Sequence, residues 1–374
     1  MPIVRGFWDD LKLPIVGLSP MDGVTDAAYR YIVAKNSHPS VIMTEFTNVE
    51  GLARGAVKML KAFDYNEIER PVVAQIYGVE LESFYKVTLM VCYLGFDGVD
   101  INMGCPANKV ARRGSGAGMI GIPEHAQKAV RMVKKACQDW ANGITLGDAK
   151  IRPKVINYLK KIRPEEYERK HIPTSVKTRT GIDEIVTEWW INNLLEEEPA
   201  NLSLHGRTLK QMYTGQANWE EIAKAGALCK NTPTSFLGNG DVKSMEDARE
   251  KTKKYDIDGV LVGRATFGNP WFFSDHEPSI EDRFNVAIEH ADYFENHLME
   301  HAFFAMRKHL AWYCKGFDGA REIRGKLMQT TSTDQVREIL EEALVKLRAS
   351  GVDTANPSAE GLAKAEEMVK GAKG

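Results

Sequence analysis

The chain has 374 residues, of which 43% are hydrophobic and 27% charged, with a formal net charge of −2. That is room for one large domain and a smaller one, in the composition range of a soluble globular protein. A near-neutral balance excludes a uniformly basic nucleic-acid binder, so any RNA contact must come from local patches.

The N-terminus, Met1-Pro2-Ile3-Val4-Arg5, lacks the basic-then-apolar pattern of a secretory signal. No later apolar run reaches the roughly 18 residues that span a membrane, so no membrane partner is expected. The five cysteines at 92, 105, 137, 229 and 314 are odd in number and include no C-x-x-C pair. This argues against a zinc ribbon or a disulfide framework and suits a cytoplasmic, reducing location.

From about residue 12 to 273, short apolar runs alternate with longer amphipathic ones. The pattern predicts strands over 15–18, 41–45, 72–76, 98–101, 174–177, 202–205, 235–238 and 259–262. Helices are predicted between them, as over 27–35, 81–94, 123–141 and 185–197. Strands alternating with helices imply right-handed crossovers and a parallel sheet. Eight such units make an α/β fold of the (β/α)8 TIM-barrel class, assigned to 1–278. The alternative, an open doubly wound sheet, lacks a G-x-G-x-x-G turn after its first strand.

Segment 142–171 breaks this rhythm, being long and charged for a helix-to-strand connection, with a helix expected over 155–163. Such connections lie on the N-terminal face of a barrel, so this insert is expected away from the chemistry. Past residue 279 the strand signals stop. Helical patterns over 284–307, 321–329 and 334–350 predict a smaller all-helical C-terminal domain over 279–354. The tail 355–374, rich in Ala, Lys, Glu and Gly, is expected to be weakly structured.

Polar residues gather at the C-terminal ends of the predicted strands. They are Ser19 to Asp22, Glu45, Gln75, Asn102 to Cys105, Lys177, Arg179, His205, Arg207, Asn239, Gly240, Asp241, Gly263 and Arg264. In a barrel those ends converge on one face, where active sites sit. The bland alternative is a set of independent turn and cap residues. Glycines after strands seven and eight expose backbone N–H groups, and Arg264 adds a fork of donors, a pattern suited to a phosphate. Lys177 at the end of strand five would be costly if buried unpaired, so an anionic partner is implied. An anionic reduced flavin is such a partner, and His205 is placed to donate to the same ring.

In Asn102-Met103-Gly104-Cys105-Pro106 the chain must turn where a strand stops, which puts the Cys105 thiol at the barrel mouth. No His and Asp are placed beside it as a protease triad needs. A thiol near its ordinary pKa of about 8.5 is mostly protonated at neutral pH and can act as a general acid. Its alternative is a small residue that packs the turn.

His297-Leu298-Met299-Glu300-His301 matches an H-x-x-E-H zinc pattern. It lies outside the predicted barrel and reads as a polar helix face, so no metal is expected. From Arg307 to Lys326 there are six Lys or Arg against two Asp or Glu, with aromatics between them. Such a mixture suits RNA phosphates and exposed bases, and equally a solvated helix face.

Taken together these motifs resemble the tRNA-dihydrouridine synthase family. The likeness covers roughly residues 13–140 and 172–330. It rests on Ser19-Pro20-Met21-Asp22-Gly23-Val24-Thr25-Asp26, on the Asn102 to Pro106 run and on Gly114-Ser115-Gly116-Ala117-Gly118-Met119. It continues in Val176-Lys177-Thr178-Arg179-Thr180-Gly181, His205-Gly206-Arg207-Thr208, Asn239-Gly240-Asp241 and Gly263-Arg264.

The resemblance implies FMN held by Pro20, Met21, Asp22, Gln75, Lys177, His205, Asn239, Gly240, Asp241, Gly263 and Arg264. It implies reduction of the uracil C5–C6 bond in tRNA, with hydride to C6, a proton from Cys105 to C5, and NADPH as the electron source. Asn102, Arg179 and Arg207 then belong with the substrate. Lys109, Arg112 and Arg113, on the Gly-rich loop, would clamp its phosphates, and Lys308, Lys315 and Arg324 would bind RNA from the helical domain. No protein partner is implied. Asp22 departs from the Ala common in the family, and the 142–171 insert is longer than its usual connection. Two other readings remain open: a dihydroorotate dehydrogenase-like barrel, and a non-catalytic RNA-binding barrel.

Overall fold

The computed structural model describes residues 3–163, 167–298 and 303–356. Clustering of the chain's contacts gives two compact units, one of 1–26 and 39–263, the other of 27–38 and 264–374.

The first unit is a closed barrel of eight parallel strands. They are β1 (Ile15–Leu18), β2 (Ile42–Met43), β3 (Val72–Tyr77), β4 (Gly98–Met103), β5 (Thr174–Arg179), β6 (Asn201–His205), β7 (Ser235–Asn239) and β8 (Gly259–Val262). Each pairs with the next, β2 pairs β3 at Ile42–Val72, and β8 closes on β1 at Ile15–Gly259. A two-residue strand, Thr47–Asn48, adds a short edge against the end of β3. All eight predicted strands are present. The largest differences in extent are at three of them: the second is only two residues long, β4 runs on through Asn102 and Met103, and β5 through Thr178 and Arg179. The extension arises because Asn102 and Met103 pair with Lys177 and Thr178 of β5, so the turn comes later than the Gly-Cys-Pro signal suggested.

Side chains two apart along a strand share a face. At the lower end of the barrel Ile15, Met43, Val73, Leu237 and Leu261 form a buried cluster, and Trp8 of the helical turn Gly6–Asp9 packs into it. Two residues further up, Val73 gives way to Gln75 and Leu237 to Asn239. Period-2 alternation therefore separates an apolar floor from a polar upper stratum without breaking any strand. Outside the strands, the fully buried Trp190 donates its indole N–H to Thr178 Oγ1 at 2.8 Å, so burying a large aromatic leaves no donor unmet.

The insert contributes helix Pro153–Ile162, started by Pro153 in its first turn and anchored by buried Val155 and Leu159. Its far end does sit on the N-terminal side: Arg163 donates to the Tyr65 carbonyl at 3.1 Å, and Tyr93 Oη donates to the Arg163 carbonyl at 2.9 Å. Its near end does not. The Arg152 side chain lies 3.4 Å from where a Cβ on Gly55 would stand, in the connection that leaves the C-terminal ends of β2 and Thr47–Asn48. The insert thus covers the flank of the barrel rather than only its N-terminal face.

The second unit is helical. Ser279 and Asp282 form a reciprocal cap that starts helix Ile280–His297. The helical pattern predicted over 284–307 is broken into Ile280–His297 and Arg307–Tyr313. Residues 299–302, part of the H-x-x-E-H stretch, and the tail from 357 lie outside the described residues. Phe284, Ala287, Ala291, Phe294, Leu310, Leu327, Val336 and Leu340 form its core together with Ala27, Ala28 and Ile32. Among the described residues no helix is long and apolar enough to cross a membrane, and no cluster of three metal-ligating side chains occurs.

Two histidines are sealed in this unit. His290, with Tyr313 Oη 3.0 Å from Nδ1, and His309 have ring centroids 4.9 Å apart, and burial holds the pKa of both down, His290 to about 3. A depressed folded-state pKa means stability that is complete above the unfolded value near 6.5 and is lost as pH falls toward 3. Thermal melts should therefore show a falling midpoint from pH 7 to pH 4. His309→Leu should flatten that fall, and an unchanged acid slope in the variant would rule out the histidine origin.

Candidate active site

The register places the site. Gln75 stands beside Asp100, Asn102 beside Lys177, Arg179 beside His205, and His205 beside Asn239. These side chains form two hydrogen-bonded chains across the barrel mouth.

The first chain begins at Asp100, a carboxyl with no exposure. It accepts from Gln75 Nε2 at 2.7 Å and from Ser175 Oγ at 2.8 Å. Because Gln75 gives its amide N–H to Asp100, its carbonyl oxygen is left to accept from Asn102 Nδ2 at 2.8 Å. Asn102 Oδ1 then receives the backbone N–H of Gly104 at 3.0 Å and of Cys105 at 2.8 Å. An anionic acceptor at one end thus fixes two amide orientations and the turn that carries the thiol. The Gly-rich segment folds over that turn: Ala117 N donates to the Cys105 carbonyl, and a Cβ on Gly116, at φ +56°, would stand 3.0 Å from the same oxygen. Burial pushes the Cys105 thiol pKa above its ordinary value, the Ala107 N–H opposes this, and the Asp22 charge adds to the rise.

The second chain holds the cations. Lys177 Nζ donates to Asn239 Oδ1 at 2.9 Å, and Asn239 Nδ2 donates to the Leu261 carbonyl at 2.8 Å. Burial lowers the Lys177 pKa to about 8, assisted by Arg179 and opposed by Asp100. Arg207 lies 3.1 Å from His205 Nε2 and donates to Asp241 Oδ2 at 2.6 Å. A guanidinium can only donate. His205 Nε2 is therefore an acceptor, and the ring proton of the neutral imidazole is on Nδ1.

Other expected residues lie on the turns that follow β1, β4, β7 and β8. Met21 lies beside Gly263, whose Cβ would come within 3.2 Å of the Met21 sulfur. Pro20 and Met21 are half-buried and Asp22 is exposed on the turn after β1. Gly240, at φ +127°, leaves room that a Cβ would take from Ala217 and the His205 ring. Arg112 and Arg113 are exposed on the loop after Cys105. Lys109 belongs to the helical turn Asn108–Ala111, but its side chain falls outside the described residues. Arg264 opens the second unit's longer segment.

Others are engaged inside the protein. Arg207, expected at the substrate, is 2% exposed, and besides His205 and Asp241 it donates to the Thr214 and Gly215 carbonyls. Asp241 likewise accepts from Ala217 N at 2.7 Å, stapling the loop after β6. Lys315 gives its amine to the Phe267 carbonyl at 2.9 Å, with its pKa lowered to about 8 by burial, and Arg324 donates to the Cys314 carbonyl at 2.6 Å. Both brace the helical unit where an RNA-facing surface was expected, because an amphipathic helix end offers unpaired carbonyls that cations can satisfy. Lys308 is half-buried near His290 and His309. Arg179 divides its fork: Nε donates to the Gly104 carbonyl and Nη1 to the Thr208 and Met212 carbonyls, while Nη2 makes no hydrogen bond among the described residues.

Two participants escape a reading by strand ends. Asp100 lies inside β4, where the only signal is a charged residue within an apolar run. Ser175 has none.

Family and relatives agree on one identity. The family profile described as "Dihydrouridine synthase (Dus)" matches residues 17–146 and 151–349. A Staphylococcus epidermidis protein named "Probable tRNA-dihydrouridine synthase" is 33% identical over 90% of this chain and 96% of its own length. "Probable tRNA-dihydrouridine synthase 2" of Bacillus subtilis (strain 168) is 32% identical over 91% of this chain and 97% of its own. A solved structure of DHODH in complex with ferulenol from Eimeria tenella aligns with 69% of this chain and 78% of its own at 11% identity and a TM-score of 0.46, too distant to bear on function.

Burial raises the Asp100 pKa to about 6 from 3.8, against the hydrogen bonds from Gln75 and Ser175 and the charge of Lys177. A raised folded-state value means stability that is complete below about 4 and is lost as pH rises through 6, a cost of about 3 kcal/mol at neutral pH. Asp100→Asn should therefore melt above wild type at pH 8, with the gap closing by pH 4. A gap independent of pH would show that Asp100 is not the titrating group. Nitrogen NMR of histidine-labelled protein should find His205 as the Nδ1–H tautomer, and the Nε2–H form would refute the Arg207 contact.

Proposed function

The chain belongs to the dihydrouridine synthase family, and we propose that it reduces the C5–C6 double bond of uridines in tRNA to 5,6-dihydrouridine, with FMN bound and NADPH as reductant. The observation that carries this reading is the setting of Cys105: a buried thiol whose pKa burial raises, on a turn fixed by Asn102, in the same ring of strand ends as the half-buried cation Lys177.

The residues suit a flavin mononucleotide. Lys177 is a half-buried ammonium whose hydrogen-bond partner among the described residues is a neutral amide, an arrangement that an anionic ring would complete. Gly240 and Gly263 leave space that side chains would fill. Lys177, His205, Gln75 and Asn239 would hold the ring side of FMN. Pro20, Met21, Asp22, Gly240, Asp241, Gly263 and Arg264 would surround the rest. Bound FMN, once reduced, supplies the hydride that C6 of the base receives.

The chain's own groups do the remainder. Cys105 gives its S–H proton to C5, and the resulting thiolate regains a proton from solvent. A raised pKa serves this role, because a general acid must be protonated at working pH. Asn102 and the open Nη2 edge of Arg179 orient the uracil edge. A base within folded RNA must leave its stack to reach the barrel mouth, and exposed Arg112 and Arg113 are placed to hold the flanking phosphates. Lys308 adds an RNA contact from the helical C-terminal region.

Purified protein should be yellow, and dihydrouridine should vanish from the tRNA of cells lacking the gene. A colourless protein that cannot be reconstituted with FMN would overturn the reading. Cys105→Ala should keep tRNA binding and lower single-turnover dihydrouridine formation by roughly 10²- to 10⁴-fold. In wild type that rate should stay level from pH 7 to 9, since a raised thiol pKa keeps the acid protonated there. A wild-type rate in Cys105→Ala would remove the thiol from the mechanism.

A further inference from the structure

Between Lys150 and Arg163 the chain has six Lys or Arg and no Asp or Glu, in a protein whose cations and anions otherwise nearly balance at 49 and 51. The acidic residues of the insert lie on either side of this run, at 148, 165, 166 and 168. Arg163 is consumed inside, with its guanidinium over the Tyr65 ring at 4.6 Å. The rest point outward. On helix Pro153–Ile162 the buried residues are Val155 and Leu159, while Lys154, Lys160 and Lys161 are exposed, as is Arg152 just before it. At 100° per residue Lys154 and Lys161 fall within about 20° of one line and Lys160 about 100° round from it, all three on the side away from Val155 and Leu159. At 1.5 Å per residue the line from Lys154 to Lys161 is about 10 Å long.

Arg152, Lys154, Lys160 and Lys161 have no ion-pair partner among the described residues. The upper end of the stripe gains further charge. Arg152 lies against Gly55, and Arg54 and Lys58 on either side of that glycine are exposed. The helix packs on the neighbouring segment Val57–Phe63. Gathering like charges without acids costs free energy in the free protein, which a polyanion recovers on binding. The stripe starts in the connection that leaves the C-terminal ends of the strands, the end that carries Cys105, and runs down the flank.

We propose that this stripe is an auxiliary RNA surface, which meets backbone phosphates of the tRNA beyond the uridine that is reduced. The proposal rests on the tRNA reading above. It adds to the cations that reading already names: Arg207, Lys315 and Arg324 each give donors to groups inside the protein, which leaves few exposed cations near the site to hold a large polyanion. Phosphate contacts of this kind set affinity and orientation without reading sequence.

The test is the salt dependence of tRNA binding in the full chain, with Arg152, Lys154, Lys160 and Lys161 all changed to Gln. Gln keeps helix propensity, and circular dichroism checks the fold. The dissociation constant should rise roughly 10- to 100-fold, and the slope of log affinity against log salt should fall by about 2–4. The pair Arg152→Gln/Lys154→Gln alone should give about half that slope change. The charge-keeping set Lys154→Arg/Lys160→Arg/Lys161→Arg should bind as wild type. Equal affinity and slope in wild type and the fourfold variant would overturn the proposal while leaving the tRNA reading intact. Loss of binding in the variant, with no dihydrouridine made by wild type, would uphold the surface and overturn the reaction. No tRNA binding by wild type would overturn both. Retention of wild type on phosphatidylserine vesicles, lost in the variant with tRNA affinity unchanged, would assign the stripe to a lipid surface instead.

Discussion

A carboxylate sealed in the barrel, Asp100, is the constraint from which the turn that carries Cys105 is built. An amide side chain can face either way, and only its partners decide which. Asp100 accepts from Gln75, Gln75 accepts from Asn102, and Asn102 accepts from the N–H groups of Gly104 and Cys105. With a neutral or donating group at position 100 the chain of orientations loses its fixed end. The arrangement places a charge where burial disfavours it, as its raised pKa records. Sites that trade stability for pre-set geometry do this commonly.

The cationic side of the mouth follows the same logic in reverse. Lys177 faces one amide oxygen, a weak partner for a half-buried ammonium. Around it, strong donors are held by backbone. Arg207 is surrounded by carbonyls and Asp241, and Arg179 ties the Gly104 carbonyl to the loop after β6. Arginine suits that task because its planar fork can satisfy several acceptors at once. These guanidinium groups keep the loops in register, so the weakly paired groups, Lys177 and the Nη2 edge of Arg179, are the ones left for a ligand.

The flank helix departs from the rest of the barrel. Helices Leu81–Tyr93 and Pro123–Ala141 lie in the same unit with wide buried faces, whereas Pro153–Ile162 buries only Val155 and Leu159 and turns its lysines outward. A barrel of eight strand-helix units needs no such layer to close. Its charge, more than its packing, distinguishes it.

Period-2 alternation, Gly and Pro punctuation and helix caps are local, and they determined the barrel and the position of every strand before any contact was known. The Asn-Met-Gly-Cys-Pro run marked the turn that carries Cys105, and the strand-end residues Lys177, His205 and Asn239 marked the mouth. What local signals cannot encode is the partner of a side chain. Arg207 and Lys177 look equivalent in sequence, two cations at strand ends, yet one meets carbonyls seven and eight residues away and the carboxylate of Asp241 while the other meets a single amide. Asp100 carries no motif because its role depends on a glutamine from β3 and a serine from β5 that only the closed sheet brings beside it. The insert's charge was legible, but its place was not. A helix-to-strand connection must end at the bottom of the barrel, and only packing against Gly55 and the 57–63 segment decided that it would first climb the flank.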